Sequence, residues 1–372
     1  MNEVNPAQLA HYVAWGAFAL AFVFGAVGNK TDFCTMGAVS DWVNMGNFNR
    51  MRMWLLAIAI AVLGANALQL AGVVNLSKSI YQTPNFTWLS YIVGGFLFGV
   101  GMTLGSGCAS KTLIRVGAGN LKSVIVFMFL GVAAYMTLRG LFGAFRVDVL
   151  EKASLTLPAG QDLPSLAAAA TGVAKNTWVA IITVLIGGGL LAFVYSNREF
   201  RSSFDYTLGG VVTGLVVVGG WYVSGHLGYL AEDPNTLQEA FVGTNTGRME
   251  SFSFVSPAAF SLEYLMLWTD KSRIITYGIA SAAGVIAGSA AYAIATRTFR
   301  WESFRDATDT GKHMLGGVLM GFGGITALGC TIGQGISGFS TLALGSIVTF
   351  ASIVAGAAAT MKYEYWRIMR EA

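Results

Sequence analysis

Long apolar runs separated by short polar connections dominate the chain. Nine stretches, at residues 12–28, 53–74, 88–105, 123–138, 177–195, 206–223, 274–296, 314–328 and 341–361, contain no Asp, Glu, Lys or Arg. A helix needs about 20 mostly apolar residues to cross a bilayer, so the pattern predicts about nine transmembrane helices. Four further segments, at 33–46, 107–119, 251–268 and 329–339, are apolar but too short or interrupted to span. They are expected to be re-entrant, because irregular backbone at membrane depth survives only where protein or a water-filled cavity satisfies its polar groups. The longest connections, near 144–176 and 230–272, are too small for a water-side domain.

Composition supports this reading. Charged residues make up 11% of the 372 and hydrophobic residues 54%, against roughly 25% charged in a soluble domain. A soluble enzyme is thereby excluded. The net charge of +4 is small and scattered, which gives no sign of a nucleic-acid partner. The partner implied is the lipid bilayer.

Basic residues follow alternate spans. Arg50 and Arg52 lie after the first, Lys111, Arg115 and Lys122 after the third, Arg198 and Arg201 after the fifth, and Arg297, Arg300, Arg305 and Lys312 after the seventh. Lys362, Arg367 and Arg370 close the chain. Since such connections stay cytoplasmic, the N-terminus is expected outside and the C-terminus inside. Arg139, Arg146, Lys271 and Arg273 are exceptions on the other side.

The segment GGFLFGVGMTLGSGC at 94–108 aligns without a gap to GGVLMGFGGITALGC at 316–330. Gly94, Gly95, Gly99, Gly101, Gly107 and Cys108 match Gly316, Gly317, Gly321, Gly323, Gly329 and Cys330 in one register. Close helix packing through the GxxxG pairs Gly95/Gly99 and Gly317/Gly321 is the plainer explanation, but a shared Cys favours an internal repeat. In the predicted topology the two copies enter from opposite sides. The expectation is therefore an all-α polytopic membrane protein built as an inverted repeat, with 1–142 as the first half, 143–205 as a connection with a linker helix and 206–372 as the second half.

Cys34, Cys108 and Cys330 are the only cysteines, and each stands at the edge of a broken segment. One lone Cys would read as a small buried hydrophobe; three at such breaks point to a site. A thiol is neutral near pH 7, donates a weak hydrogen bond and is polarizable. Such groups suit a soft sulfur-bearing solute, and weak serial contacts permit release as well as binding. Gly-rich turns at Gly105-Ser106-Gly107 and Gly333-Gln334-Gly335 would bring backbone amides close to a passing solute, and half-helix N-termini near mid-membrane would favour an anion. Lys111 shares a helix face with Cys108 and could draw an anion to the inner mouth, unless it and Arg115 are ordinary interfacial anchors. Asp32 and Asp41 read as vestibule or cap groups. His226 reads as an interfacial residue, and His11 and His313 stand at span ends. No nucleotide loop, HExxH or CxxC motif occurs.

The motifs TDFCTMGAVSDWVNMG (31–46), GVGMTLGSGCASKTLIRVGAGNLKS (99–123) and GCTIGQGISGFS (329–340) resemble the YeeE/YedE sulfur-transport family of bacterial membrane proteins, over essentially the whole chain. The resemblance implies an hourglass-like protein of the bacterial inner membrane with nine spans and four short helices dipping toward its centre. It also implies thiosulfate or a similar sulfur anion as substrate, passed between Cys34, Cys108 and Cys330; the Gly-rich breaks and the helix face of Cys108 add Gly107, Gly329 and Lys111 as expected neighbours of the substrate. The lack of a nucleotide site leads to the expectation of transport without ATP or another cofactor, and the resemblance implies a soluble sulfur-carrier protein, where one is used, as a separate partner. Three alternatives remain open at this stage: a membrane sulfurtransferase or redox protein working through cysteine persulfides, a selenium-compound transporter, and, more distantly, a soft-metal transporter.

Overall fold

The computed structural model describes residues 5–371 apart from 235 and 305, so Arg305, one of the predicted inner-side cations, lies outside the described residues. The chain is nearly all helical. In order, the helices are α1 Pro6–Lys30, α2 Thr35–Met45, α3 Asn49–Leu70, α4 Trp88–Leu104, α5 Ala109–Gly117, α6 Leu121–Arg139 and α7 Leu141–Phe145. There follow α8 Leu163–Thr171, α9 Lys175–Tyr195, α10 Arg198–Ser202, α11 Phe204–Tyr222, α12 Ser256–Met266, α13 Tyr277–Ala295, α14 Ala307–Thr326 and α15 Leu344–Glu371. Two antiparallel two-residue ladders, Asn85–Phe86 with Leu155–Thr156 and Tyr229–Leu230 with Ala240–Phe241, pin connections and form no closed sheet.

Among the described residues, eight helical stretches are long and apolar enough to cross a membrane. They correspond to eight of the nine predicted runs. The other run, 314–328, lies in α14, which begins earlier and carries Asp309, Lys312 and His313 in its first turns. His313 accordingly lies buried within the helix rather than ahead of it. Short helices α2, α5 and α12 stand where three of the broken segments were expected, and the fourth contains the π-helical turn Gly333–Gly338. Gly333-Gln334-Gly335 is therefore helical and not a loop; the turn in that copy falls earlier, at Leu328 and Gly329. The three five- to nine-residue helices α7, α8 and α10 were not expected, since each has too few turns to imprint a periodicity.

Packing follows the small residues. The helix pair α4 and α14 crosses at Gly94, Gly101, Gly316 and Gly323, where a Cβ built on Gly101 would sit 2.7 Å from the Gly316 carbonyl oxygen and one on Gly323 would sit 2.5 Å from the Gly94 oxygen. On their other faces Gly95 and Gly99 of α4 meet α15, and Gly317 and Gly321 of α14 meet α6. Helix α1 packs on α13 and α11 packs on α3. Helix α9 lies at the edge, with only Val179, Thr183, Gly187 and Val194 buried. In the middle, Trp54 stacks between Phe33 and Phe350 at 5.2 and 5.5 Å.

Connections collect on two faces. One face gathers 71–87, 140–174 and 223–276, joined by the Ser79–Met249 bridge and the 2.6 Å Lys78–Glu239 ion pair. The other carries short, basic connections, held by Lys122–Asp309 at 2.9 Å, Lys312–Glu364 at 3.5 Å and Asn120–Glu302 at 2.6 Å. These are called the loop face and the basic face below.

Candidate functional site

Each cysteine sits in the same local device. Asp32, Ser106 and Leu328 adopt left-handed backbone angles, φ +50°, +56° and +59°, and each precedes a cysteine by two positions. For a non-glycine residue this costs on the order of 1 kcal/mol or more, so three repetitions mark a backbone shaped for a purpose. The turn ends the incoming helix and lets Cys34 and Cys108 become the N-caps of α2 and α5. Cys330 likewise precedes the helical segment beginning at Thr331. The Gly37 and Gly333 amides donate to the Cys34 and Cys330 sulfurs at 3.4 Å. A first-turn amide of a helix lacks an intrahelical partner, and here a thiol sulfur supplies one.

The sulfurs are free, and all three are buried. Cys34 and Cys108 interact directly through their side chains. Thr35 donates to the Cys108 sulfur at 3.9 Å, and Ser110 lies 3.3 Å from it. Thr331, next to Cys330, borders Cys108 as well, and Cys330 lies within electrostatic reach of Cys108. Ser253 approaches the Cys330 sulfur at 3.9 Å. The order is thus Cys34 with Cys108, then Cys330. Among the described residues no three His, Cys, Asp or Glu side chains gather closely enough to hold a metal ion. A serial arrangement suits hand-over of a solute better than chelation, and burial of all three sulfurs argues against persulfide chemistry, which needs an accessible thiolate.

Lys111 is nearly buried, and its ammonium pairs with Asp32. Arg50 bridges Asp32 at 2.6 Å and Asp41 at 3.3 Å. Asp32 is therefore an ion-pair acceptor and not a helix cap, because Cys34 occupies the capping position. Arg115 donates to the Ser106 carbonyl at 2.6 Å, which leaves Gly107 beneath Lys111 and Arg115. Gly329 stands against Gln334, which donates to the Ala327 carbonyl and accepts from Ser346, both at 2.5 Å. From Ser106 a polar cavity of about 510 Å³ opens among Asn29, Arg115, Lys122, Arg300 and His313 on the basic face. His226 stacks on Tyr222 with ring centroids 5.0 Å apart, and it faces the Val73 carbonyl. His11 lines an apolar groove of about 640 Å³ between α1 and α13. Neither imidazole is near the cysteines in sequence or in these contacts.

The hydroxyls around the sulfurs were missed, although a signal existed: Cys34-Thr35, Cys108-Ala109-Ser110 and Cys330-Thr331 each place one within two positions of the thiol. Arg50 was read only as an interfacial cation, and no pattern pointed to Tyr81 or Ser253.

The Asp32–Lys111 pair gives an asymmetric prediction. Asp32 is half-exposed and keeps Arg50 when Lys111 is lost, so Lys111→Ala should cost about 1 kcal/mol or less. Asp32→Ala leaves a nearly buried ammonium unpaired and should cost about 2–3 kcal/mol. Thermal melts of the purified variants check this; equal losses, or a double variant worse than Asp32→Ala, would contradict the pairing.

The fold, with its long apolar helices, defines a multi-pass membrane protein. The Sulphur transport family matches residues 30–359, and the chain belongs to that family, which is a family of transporters and not of enzymes. Among its relatives, the thiosulfate transporter TsuA of Escherichia coli (strain K12) is 28% identical over 324 residues, 84% of each chain. The thiosulfate transporter TsuA of Spirochaeta thermophila is 25% identical over 343 residues, 89% of this chain and 93% of the relative.

Proposed function

We propose that this protein takes up thiosulfate, or a closely related small sulfur anion, across the bacterial inner membrane through a waist lined by Cys34, Cys108 and Cys330. The observation that carries the reading is that Cys34 meets Cys108 while Cys330 lies within electrostatic reach of Cys108, each sulfur at the start of a short helical segment. Helix N-termini carry partial positive charge, so the anion meets attraction without a fixed cation that would hold it. The names of the two relatives supply the substrate class.

The scaffold is read as an hourglass of nine spans, α14 being the ninth, with α2, α5, α12 and the segment after Cys330 as re-entrant helices. Residues 1–142 and 206–372 are the two inverted halves, and 143–205 carries the linker helix α9. Paired contacts support this: α1 packs on α13 as α11 packs on α3, and α4 packs on α15 as α14 packs on α6. Small-residue faces meet at both crossings. The basic face is assigned to the cytoplasm by its positive charge, which puts the N-terminus outside and the C-terminus inside. Gly107 and Gly329 admit the anion beside the sulfurs. Lys111, held by Asp32, stands on the inner side of Cys108 and receives the anion as the pair opens. A soluble sulfur carrier, where one serves this protein, would collect the product on the basic face.

Proteoliposomes containing this chain alone test the reading. Labelled thiosulfate should enter at least about tenfold faster than sulfate, because sulfate lacks the terminal soft sulfur that an S–H donor prefers; one hydrogen bond is worth about that factor. Selenium analogues run in parallel report whether the soft atom alone decides. Equal entry of sulfate and thiosulfate, or no entry of either, would refute it.

A further inference from the structure

On the loop face a second buried polar cluster leads away from Cys330. Glu250 is buried, and among the described residues no cation pairs with it. Its carboxylate accepts from the Asn245 amide at 3.2 Å and from the Thr246 hydroxyl at 3.5 Å. Thr246, Gly247 and Arg248 are exposed, so solvent stands one hydrogen bond away. The titratable side chains within electrostatic reach of Glu250 are Tyr81, from the connection after α3, and Tyr277, from the start of α13, and Tyr81 is also within reach of Tyr277. Cys330 lies within electrostatic reach of Tyr81. The Tyr81 hydroxyl is buried and has no hydrogen-bond partner among the described residues. A Cβ built on Gly333 would lie 3.4 Å from that hydroxyl and 2.7 Å from the Ser253 hydroxyl, so both oxygens border the first turn that follows Cys330.

A membrane potential, negative inside, opposes inward movement of an anion. Each charge moved against 100 mV lowers accumulation about fiftyfold, and a dianion loses over a thousandfold. Uptake of such a solute therefore calls for a co-transported cation. Of the possible cations, a proton needs only one buried acceptor with a path to solvent and to the anion.

We infer that Glu250 is the proton-binding site of a proton-coupled uptake, loaded from the loop face and linked to the anion at Cys330 through Tyr277 and Tyr81. The inference rests on the proposed anion transport. The carboxylate takes a proton from external water through the Thr246 opening and becomes neutral. The Tyr277 and Tyr81 hydroxyls have no hydrogen-bond partner among the described residues. The proton therefore leaves toward the waist through water that enters with the anion and bridges them, passes inward with the anion, and Glu250 returns to the carboxylate. Burial pushes the Glu250 carboxyl up to about 7, which lets it load and unload across the range of external pH where a proton gradient operates.

The experiment uses the full chain in proteoliposomes with labelled thiosulfate. In wild-type vesicles, an exterior about 1.5 pH units more acidic than the lumen should stimulate uptake by up to about thirtyfold per proton carried, and a pyranine-loaded lumen should acidify as thiosulfate enters. Glu250→Gln should keep thiosulfate exchange at equal pH on both sides but lose the stimulation and the acidification. Where Glu250→Gln fails to insert, Glu250→Asp decides by shifting the pH midpoint of wild-type uptake. Wild-type exchange without stimulation or acidification would overturn the proposal, as would full stimulation in Glu250→Gln or an unshifted midpoint in Glu250→Asp. Wild-type vesicles that exchange no thiosulfate at all would refute the transport reading itself, and this inference with it.

Discussion

Cys108→Ala is expected to abolish thiosulfate uptake while the protein still inserts and folds. Cys108 is the middle member of the series: it interacts with Cys34, receives Thr35 at 3.9 Å and borders Thr331 beside Cys330. Its loss removes the donor that would receive the anion from one neighbour and release it to the other. Each missing hydrogen bond weakens the waist by about 1 kcal/mol, or roughly five- to tenfold, and two missing contacts compound to on the order of a hundredfold. The fold should lose only about 1 kcal/mol, because one sulfur is a small volume. Cys108→Ser retains an O–H donor and should keep a few per cent of uptake. Labelled uptake at matched protein level checks both variants, and wild-type rates in Cys108→Ala would remove Cys108 from the path.

Gly323→Leu should prevent assembly altogether. A side chain at this position runs into the Gly94 carbonyl and the Phe98 amide of α4, which are backbone and cannot swing aside. Overpacking against yielding side chains costs about 1–3 kcal/mol, and against helix backbone more than about 4 kcal/mol. Gly188→Leu on α9 is the control, since nothing lies within 4 Å of a Cβ there. Size-exclusion profiles in detergent should show loss of the monodisperse peak for Gly323→Leu and a normal peak for Gly188→Leu. A normal profile for Gly323→Leu would mean that α4 and α14 do not cross as described.

Hydropathy revealed the long helices because a bilayer demands a run of apolar residues that no soluble fold would carry. It placed α14 less well, since Asp309, Lys312 and His313 fall inside the helix, where Lys122 pairs with Asp309, Glu364 pairs with Lys312 and Asp309 itself meets His313. Composition reports polarity and not partners. The breaks before the cysteines were visible as Gly-rich interruptions, yet the left-handed residues are Asp32, Ser106 and Leu328, none of them a glycine. A left-handed angle at a leucine is imposed by tertiary packing and leaves no mark on local propensity. The cysteines themselves were legible as a trio, whereas the hydroxyls that surround them looked like ordinary small polar residues. Arg50, Asp32 and Lys111 come from three helices or turns, and only folding brings those charges within 4 Å. Tyr81 and Glu250 are likewise joined across the chain and had no pattern to announce them.

The central claim is that the anion travels through a waist made by three sulfhydryls. The most direct measurement is labelled-thiosulfate uptake into proteoliposomes carrying the Cys34→Ala, Cys108→Ala, Cys330→Ala triple variant, with folded protein quantified in the same vesicles. Uptake indistinguishable from protein-free vesicles is the predicted result. Uptake at the wild-type rate would contradict the account.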